Sequence, residues 1–291
     1  MADAKPGRLP LDGGFPGARV TLHPIRSGTV RSPQEWFVRE PGPLSMLRGL
    51  GFGGRIDAPI VSFALEHPGA GPVLVDTGLH PSVEDGLTES FGRAGAFVFR
   101  GTTLSPDGSV RRQLTARGID PAGVRTVLMT HLHGDHASGL IDFPGTEVLV
   151  SGREWSAANA GGALHGYHRP QLEGDVGYRL LDFDGATPHG AFERTLDLFG
   201  DGSVLACSTP GHTHGHLSVL VRTAAGPVLI AGDAIYTMEN LREGRDPLRM
   251  EDPEAYRRSV AQLRAFIADH PDAVVIPGHE AAAWNALETV Y

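Results

Sequence analysis

The segment Thr130-His131-Leu132-His133-Gly134-Asp135-His136 places three imidazoles and a carboxylate within six positions. It follows the apolar run 126–130, which reads as a strand, so these side chains sit on a loop at a strand end. His131 and His133 are two apart, and an extended backbone points both the same way. Asp135 and His136 then turn toward a neighbouring point. Imidazole and carboxylate at this density suit a borderline divalent ion such as Zn²⁺. The lone cysteine, Cys207, excludes a cysteine-rich metal site and an internal disulfide framework.

Three further places repeat the theme. His212 ends Thr209-Pro210-Gly211-His212, Asp233 ends Ala231-Gly232-Asp233, and His279 ends Ile276-Pro277-Gly278-His279. Each is a His or Asp beside Gly at the end of a short apolar run. That is what a site on one rim of packed sheets requires. The runs themselves predict strands over 18–25, 60–65, 72–76, 126–130, 147–150, 203–207, 217–222, 227–231 and 273–276. Helices are predicted over 110–117, 152–160, 253–269 and 281–290. The clearest is 253–269: Asp252 can cap it, Pro253 opens it, and Ala255, Val260, Leu263, Phe266 and Ile267 form an apolar stripe. The spans 27–57 and 160–188, rich in Gly and Pro, resist assignment. The alternation predicts a mixed α/β domain with sheets covered by helices.

The H-x-H-x-D-H string, followed in order by a lone His, a lone Asp and a final His, resembles the metallo-β-lactamase superfamily. The likeness runs from about Val20 to His279. It implies an α/β fold, a four-layer αββα sandwich with a dinuclear site at one edge. It implies that His131, His133 and His212 hold one ion, that Asp135, His136 and His279 hold the other, and that Asp233 bridges them. Two divalent ions, zinc by expectation, are the implied cofactors. His214 and His216 compete with His212, but the family pattern favours the residue directly after Pro-Gly. Asp76, in Val75-Asp76-Thr77-Gly78, matches an acidic residue of the superfamily and is expected to orient a ligand histidine. The implied reaction is hydrolysis by a metal-bridging hydroxide, with Asp135 passing a proton to the leaving oxygen.

Within that superfamily, Asp233 disfavours the zinc β-lactamases, which lack the bridging Asp. His133 disfavours the diiron redox branch, which has Glu there. Hydroxyacylglutathione hydrolases append a helical domain after the last strand, and little chain follows His279. The segment Asp233-Ala234-Ile235-Tyr236-Thr237-Met238-Glu239-Asn240 is similar to the N-acyl-homoserine lactonases, which carry a Tyr three residues after the bridging Asp. The resemblance therefore implies lactone opening, with the Tyr236 hydroxyl donating to the substrate. A thioesterase or another ester hydrolase on the same fold is the alternative. The apolar run Leu44, Met46, Leu47, Leu50 and Phe52 suits an acyl pocket, a packing face or a dimer contact equally. The region of His165, Tyr167 and His168 is open between surface and gate.

Length and composition agree with a single hydrolase domain over 1–291 that has cap-like insertions near 27–57 and 160–188. The chain has 291 residues, 41% hydrophobic and 20% charged, with 14 histidines. A net charge of −9 argues against nucleic acid and anionic membrane surfaces as partners. The start of the chain carries no apolar leader, and no run is long enough to span a bilayer. The expectation is a cytoplasmic bacterial enzyme with a small lactone or ester as partner, and a homodimer as one option.

Overall fold

The strands alternate in which face they bury, and that alternation builds the layers. The computed structural model describes residues 3–291; residues 1 and 2, the start of the expected domain, lie outside it. The first sheet holds β1 (Lys5–Pro6), β2 (Thr21–Pro33), β3 (Arg55–His67), β4 (Gly71–Val75), β5 (Thr103–Leu104), β6 (Thr126–Leu128), β7 (Glu147–Ser151) and β8 (Gly177–Leu181). Their order is β1-β8-β7-β6-β4-β3-β2-β5. The second sheet holds β9 (Thr187–His189), β10 (Phe192–Asp197), β11 (Val204–Ser208), β12 (Leu217–Thr223), β13 (Gly226–Gly232) and β14 (Val274–Pro277). Its order is β14-β13-β12-β11-β10-β9.

Val73 and Val75 of β4, Leu149 of β7, Val204 and Ala206 of β11, and Val219 and Val221 of β12 meet in the core between the sheets. Their odd-even neighbours face outward. Leu74, Val148 and Val150 pack with Val110, Leu114 and Ala158 of helices Val110–Ala116 and Gly152–Ala160. Leu205, Cys207 and Leu229 pack with Tyr256, Val260, Leu263 and Phe266 of helix Pro253–Asp269. The result is helix, sheet, sheet, helix, the four-layer sandwich expected. Asp252 caps the long helix, accepting the Glu254 and Ala255 N–H groups at 3.0 and 2.9 Å.

The structure differs from the sequence reading in places. Residues 27–33 continue β2 and 55–57 open β3, so only the middle of 27–57 stands outside the sheet. β8 likewise runs through part of 160–188. Helix Leu87–Val98 carries no clear sequence signature, because Gly92 and Gly95 interrupt it and Gly92 adopts φ 67°. The last helix stops at Asn285.

The parallel pairs place the chemistry. β4 runs beside β6, pairing Val75 with Leu128, so Asp76 emerges next to the loop that starts at Met129. β13 runs beside β14, pairing Gly232 with Pro277, so Asp233 and His279 emerge side by side. β11 is antiparallel to β12, and β12 to β13, so the turn holding His212 leaves at the same edge.

Candidate metal centre

At this edge the donor atoms fall into three overlapping groups, within 4.8 Å of one another in each: His131, His133 and His212; His131, His136 and Asp233; Asp135, His136 and His279. His212 Nε2 lies 3.2 Å from His131 Nε2 and 3.0 Å from His133 Nδ1. Asp233 stands between the halves. Its Oδ2 lies 3.3 Å from His212 Nε2 and 3.8 Å from His131 Nε2. Its Oδ1 lies 3.5 Å from His136 Nε2 and 3.4 Å from His279 Nε2. Asp135 Oδ2 is 3.6 Å from His279 Nε2. All seven residues expected from the sequence thus converge on one point.

The residues fit a pair of cations. His136 Nε2 and Asp233 Oδ1 are buried polar atoms with no hydrogen-bond partner. Such atoms are costly unless something charged or polar meets them. Three imidazole nitrogens pointing at one another cannot all satisfy their lone pairs among themselves, and a divalent ion can accept all three.

Outer partners fix which nitrogen faces inward. His279 Nδ1 lies 2.9 Å from the Pro59 carbonyl oxygen, which leaves Nε2 facing the cluster. Asp76 Oδ2 lies 2.8 Å from His136 Nδ1 and accepts the Thr130 hydroxyl at 2.7 Å; its Oδ1 accepts the Thr130 N–H at 2.8 Å. Asp76 adopts φ 58°, a left-handed conformation that Asp tolerates better than most residues. His216 faces away: its Nδ1 contacts Thr209, and its Nε2 accepts the Asp233 N–H at 3.0 Å. His214 is exposed and pairs with Glu251. Gly278 has no substitute here, since a Cβ would stand 2.2 Å from Asp233 Oδ1.

The charges are tightly coupled. Burial, then the neighbouring imidazoles, hold His131 well below its usual range. Burial also disfavours a charged His136, but Asp233, Asp76 and Asp135 outweigh it and raise the imidazole to about 10. Burial alone would raise Asp233, yet His279, His136 and His212 hold it well below the usual carboxylate range. The second half of the site therefore attracts positive charge.

A pocket of about 330 Å³ opens over the cluster, lined by Trp36, Phe37, Val98, Phe99, Leu164 and Met250 among others. The run 44–52 does not line it: Leu44, Met46, Leu47, Leu50 and Phe52 are exposed instead. The lining aromatics come from segments distant in sequence, and no local pattern marks them. Arg249 also lines the pocket, its guanidinium 4.2 Å above the Trp36 ring. Tyr236 reaches the pocket too. Its hydroxyl lies 2.7 Å from His212 Nδ1 and donates to the Arg249 carbonyl at 3.0 Å. Burial, then Asp233, pushes that phenol far above its usual range, so it stays protonated. Tyr167 packs its ring 4.9 Å from that of His133, whereas His165 lines the pocket. Among the described residues, no helix is long and apolar enough to cross a membrane.

Known proteins are similar to this chain in sequence and fold. N-acyl homoserine lactonase AttM of Agrobacterium fabrum is 32% identical over 272 residues, covering 91% of this chain and 95% of the relative. N-acyl homoserine lactonase AiiA of Bacillus thuringiensis subsp. kurstaki is 28% identical over 233 residues, covering 78% and 84%. A solved structure of a B. thuringiensis AiiA variant with N-decanoyl-L-homoserine bound superposes with a TM-score of 0.74. It shares 23% identity and covers 93% of this chain and 97% of that one. The family model of the metallo-beta-lactamase superfamily matches residues 56–279, and with the layers, the strand-end donors and these relatives, the chain belongs to that superfamily.

Proposed function

We propose that this protein is a dinuclear metal-dependent hydrolase that opens the ring of N-acyl homoserine lactones. The observation that carries it is Asp233, whose two carboxylate oxygens face separate halves of a histidine cluster under an apolar pocket. The names of the AttM and AiiA relatives supply the substrate class. His131, His133 and His212 would hold one ion, and Asp135, His136 and His279 the other, with Asp233 between them. When bound, two zinc ions would supply a deprotonated water at neutral pH and polarise the ring carbonyl.

The side chains do the rest. Trp36, Phe37 and Phe99 shield the site from bulk water and offer an apolar wall to an acyl chain. The Tyr236 hydroxyl has one proton, held by the Arg249 carbonyl. A substrate oxygen in the pocket competes for that proton, so Tyr236 donates to it by giving up Arg249. Asp135 lines the pocket beside His279 and takes the proton that must reach the leaving alkoxide.

The test is proton release by zinc-loaded protein offered short- and long-chain N-acyl homoserine lactones and an acyl thioester. Chelator-sensitive turnover of the lactones is expected. Thioester turnover without lactone turnover moves the protein to the thioesterase reading. Turnover of neither refutes the lactonase reading.

A further inference from the structure

Glu154 is an acidic side chain for which the reaction above has no use; burial, partly offset by hydrogen bonds from Thr213, Leu132 and Tyr167, raises its carboxyl to about 7. It stands in the first turn of helix Gly152–Ala160 and is wholly buried. A carboxylate so placed needs strong partners, and its partners show what it holds. Oε1 accepts the Leu132 N–H at 2.9 Å and the Tyr167 hydroxyl at 3.2 Å. Oε2 accepts the Thr213 hydroxyl at 2.6 Å. Leu132 lies between His131 and His133, and Thr213 follows His212. Tyr167 packs on the His133 ring. Every tether leads to the three imidazoles whose nitrogens meet at 3.0 and 3.2 Å. None leads to His136 or His279.

The backbone is shaped for these contacts. A Cβ on Gly215 would stand 2.0 Å from the Glu154 nitrogen. Gly166 adopts φ 92°, and a Cβ there would stand 2.7 Å from the His133 ring. Glycine at both positions lets the two segments close on the helix and on the histidine.

We propose that Glu154 is a positioning residue: one buried carboxylate fixes both loops that present His131, His133 and His212, and leaves the Asp135–His136–His279 half to other contacts. This rests on the metal-centre reading above and deepens it. Ligands held by hydrogen-bonded partners bind an ion without first having to order themselves.

The variant Glu154→Gln keeps the shape but not the charge: its one oxygen can stay on Leu132 and Tyr167, and its N–H₂ then faces the Thr213 hydroxyl, which must give up donating there. Thr213→Val removes a single tether and is read beside it in case the glutamine variant fails to fold. Metal-free protein is titrated with Co²⁺, following its absorption spectrum and its dissociation constants against a competing chelator. His212→Ala identifies the spectrum of protein lacking the tri-histidine ion. For Glu154→Gln that same ion should bind about tenfold to hundredfold more weakly, with the other ion unchanged. Thr213→Val should weaken the same ion by a smaller factor. Unchanged binding of both ions, or equal weakening of both, overturns the proposal. Wild-type protein that takes up no cobalt refutes the metal-centre reading itself, an outcome separate from these.

Discussion

Asp76→Asn tests whether the second half of the centre is set by a single outer carboxylate. Asp76 accepts three hydrogen bonds: the Thr130 N–H at 2.8 Å, the Thr130 hydroxyl at 2.7 Å and, in the ion-ready tautomer, the His136 Nδ1–H at 2.8 Å. Asparagine keeps one oxygen, which can stay on the Thr130 N–H. Its amide nitrogen then faces two donors. The Thr130 hydroxyl can rotate and accept instead, as it accepts from the His131 Nδ1–H 3.1 Å away when His131 Nε2 faces the cluster. His136 has no such freedom. Moving its proton from Nδ1 to Nε2 would relieve the clash but would block the atom that faces Asp233 Oδ1 at 3.5 Å. One charge-assisted bond is therefore lost without recovery, at about 1.5–3 kcal/mol. At about 1.4 kcal/mol per tenfold, that weakens the ion held by His136 by roughly 10- to 150-fold. The assay is chelator competition on purified protein, with both ions followed separately. A variant that binds both ions like the wild type would show that Asp76 does not orient His136. Equal weakening of both ions would show that the strand-end loop moves as a whole.

Tyr236→Phe removes the partner of His212 Nδ1 and leaves that buried atom unsatisfied, a cost of about 1–3 kcal/mol. Lactone turnover should fall by roughly tenfold or more, measured as kcat/KM; turnover equal to wild type would rule out both the donor and the supporting role. Gly278→Ala drives a Cβ to 2.2 Å from Asp233 Oδ1, so metal content measured by elemental analysis should fall while the far-UV spectrum stays. Leu263→Ala empties a fully buried position under the second sheet and should cost about 2–5 kcal/mol in urea unfolding. Asp201 contributes to the pH dependence of stability away from the centre. Burial opposes it, but hydrogen bonds from Ser203, Phe15 and His67 win and hold its carboxyl below the usual range. A lowered folded value means that its stabilisation is full above the unfolded value of about 4 and is lost as the pH falls from there through the lower folded value. Asp201→Asn should therefore flatten the acid limb of the stability curve, and an unchanged limb refutes the assignment.

The parts of this protein that were legible in its sequence share a physical cause. His131, His133, Asp135 and His136 sit together in the chain because one strand-end loop delivers them, and short apolar strands with Gly beside the donor mark His212, Asp233 and His279 in turn. Strand alternation then gives the layers. What stayed hidden is what only tertiary contact creates. Trp36, Phe37 and Phe99 become a pocket because two distant segments close over the edge. Leu44 to Phe52 suit a pocket, a packing face or a dimer contact equally by composition; the pocket is lined from elsewhere and they remain outside it. Helix Leu87–Val98 is interrupted by glycines that weaken any periodic signal.

Glu154 shows this difference most sharply. In sequence it is an acid in the first turn of a helix, where an exposed carboxylate is favoured by the helix dipole alone. In the fold it is buried, because Gly215 brings the His212 turn against its backbone and Leu132 presents an N–H that no strand partner takes. Asp76 and Glu154 then divide the centre. One carboxylate meets His136 directly at the β4–β6 edge, and the other reaches His131, His133 and His212 through Leu132 and Thr213. The two share no hydrogen-bond partner. Their substitutions should therefore weaken different ions and combine additively, because coupling energy arises between groups that share partners. A double variant Asp76→Asn, Glu154→Gln that loses much more affinity at either ion than the single variants together would mean that the halves are held as one unit, and that Asp233 transmits what the outer carboxylates do separately.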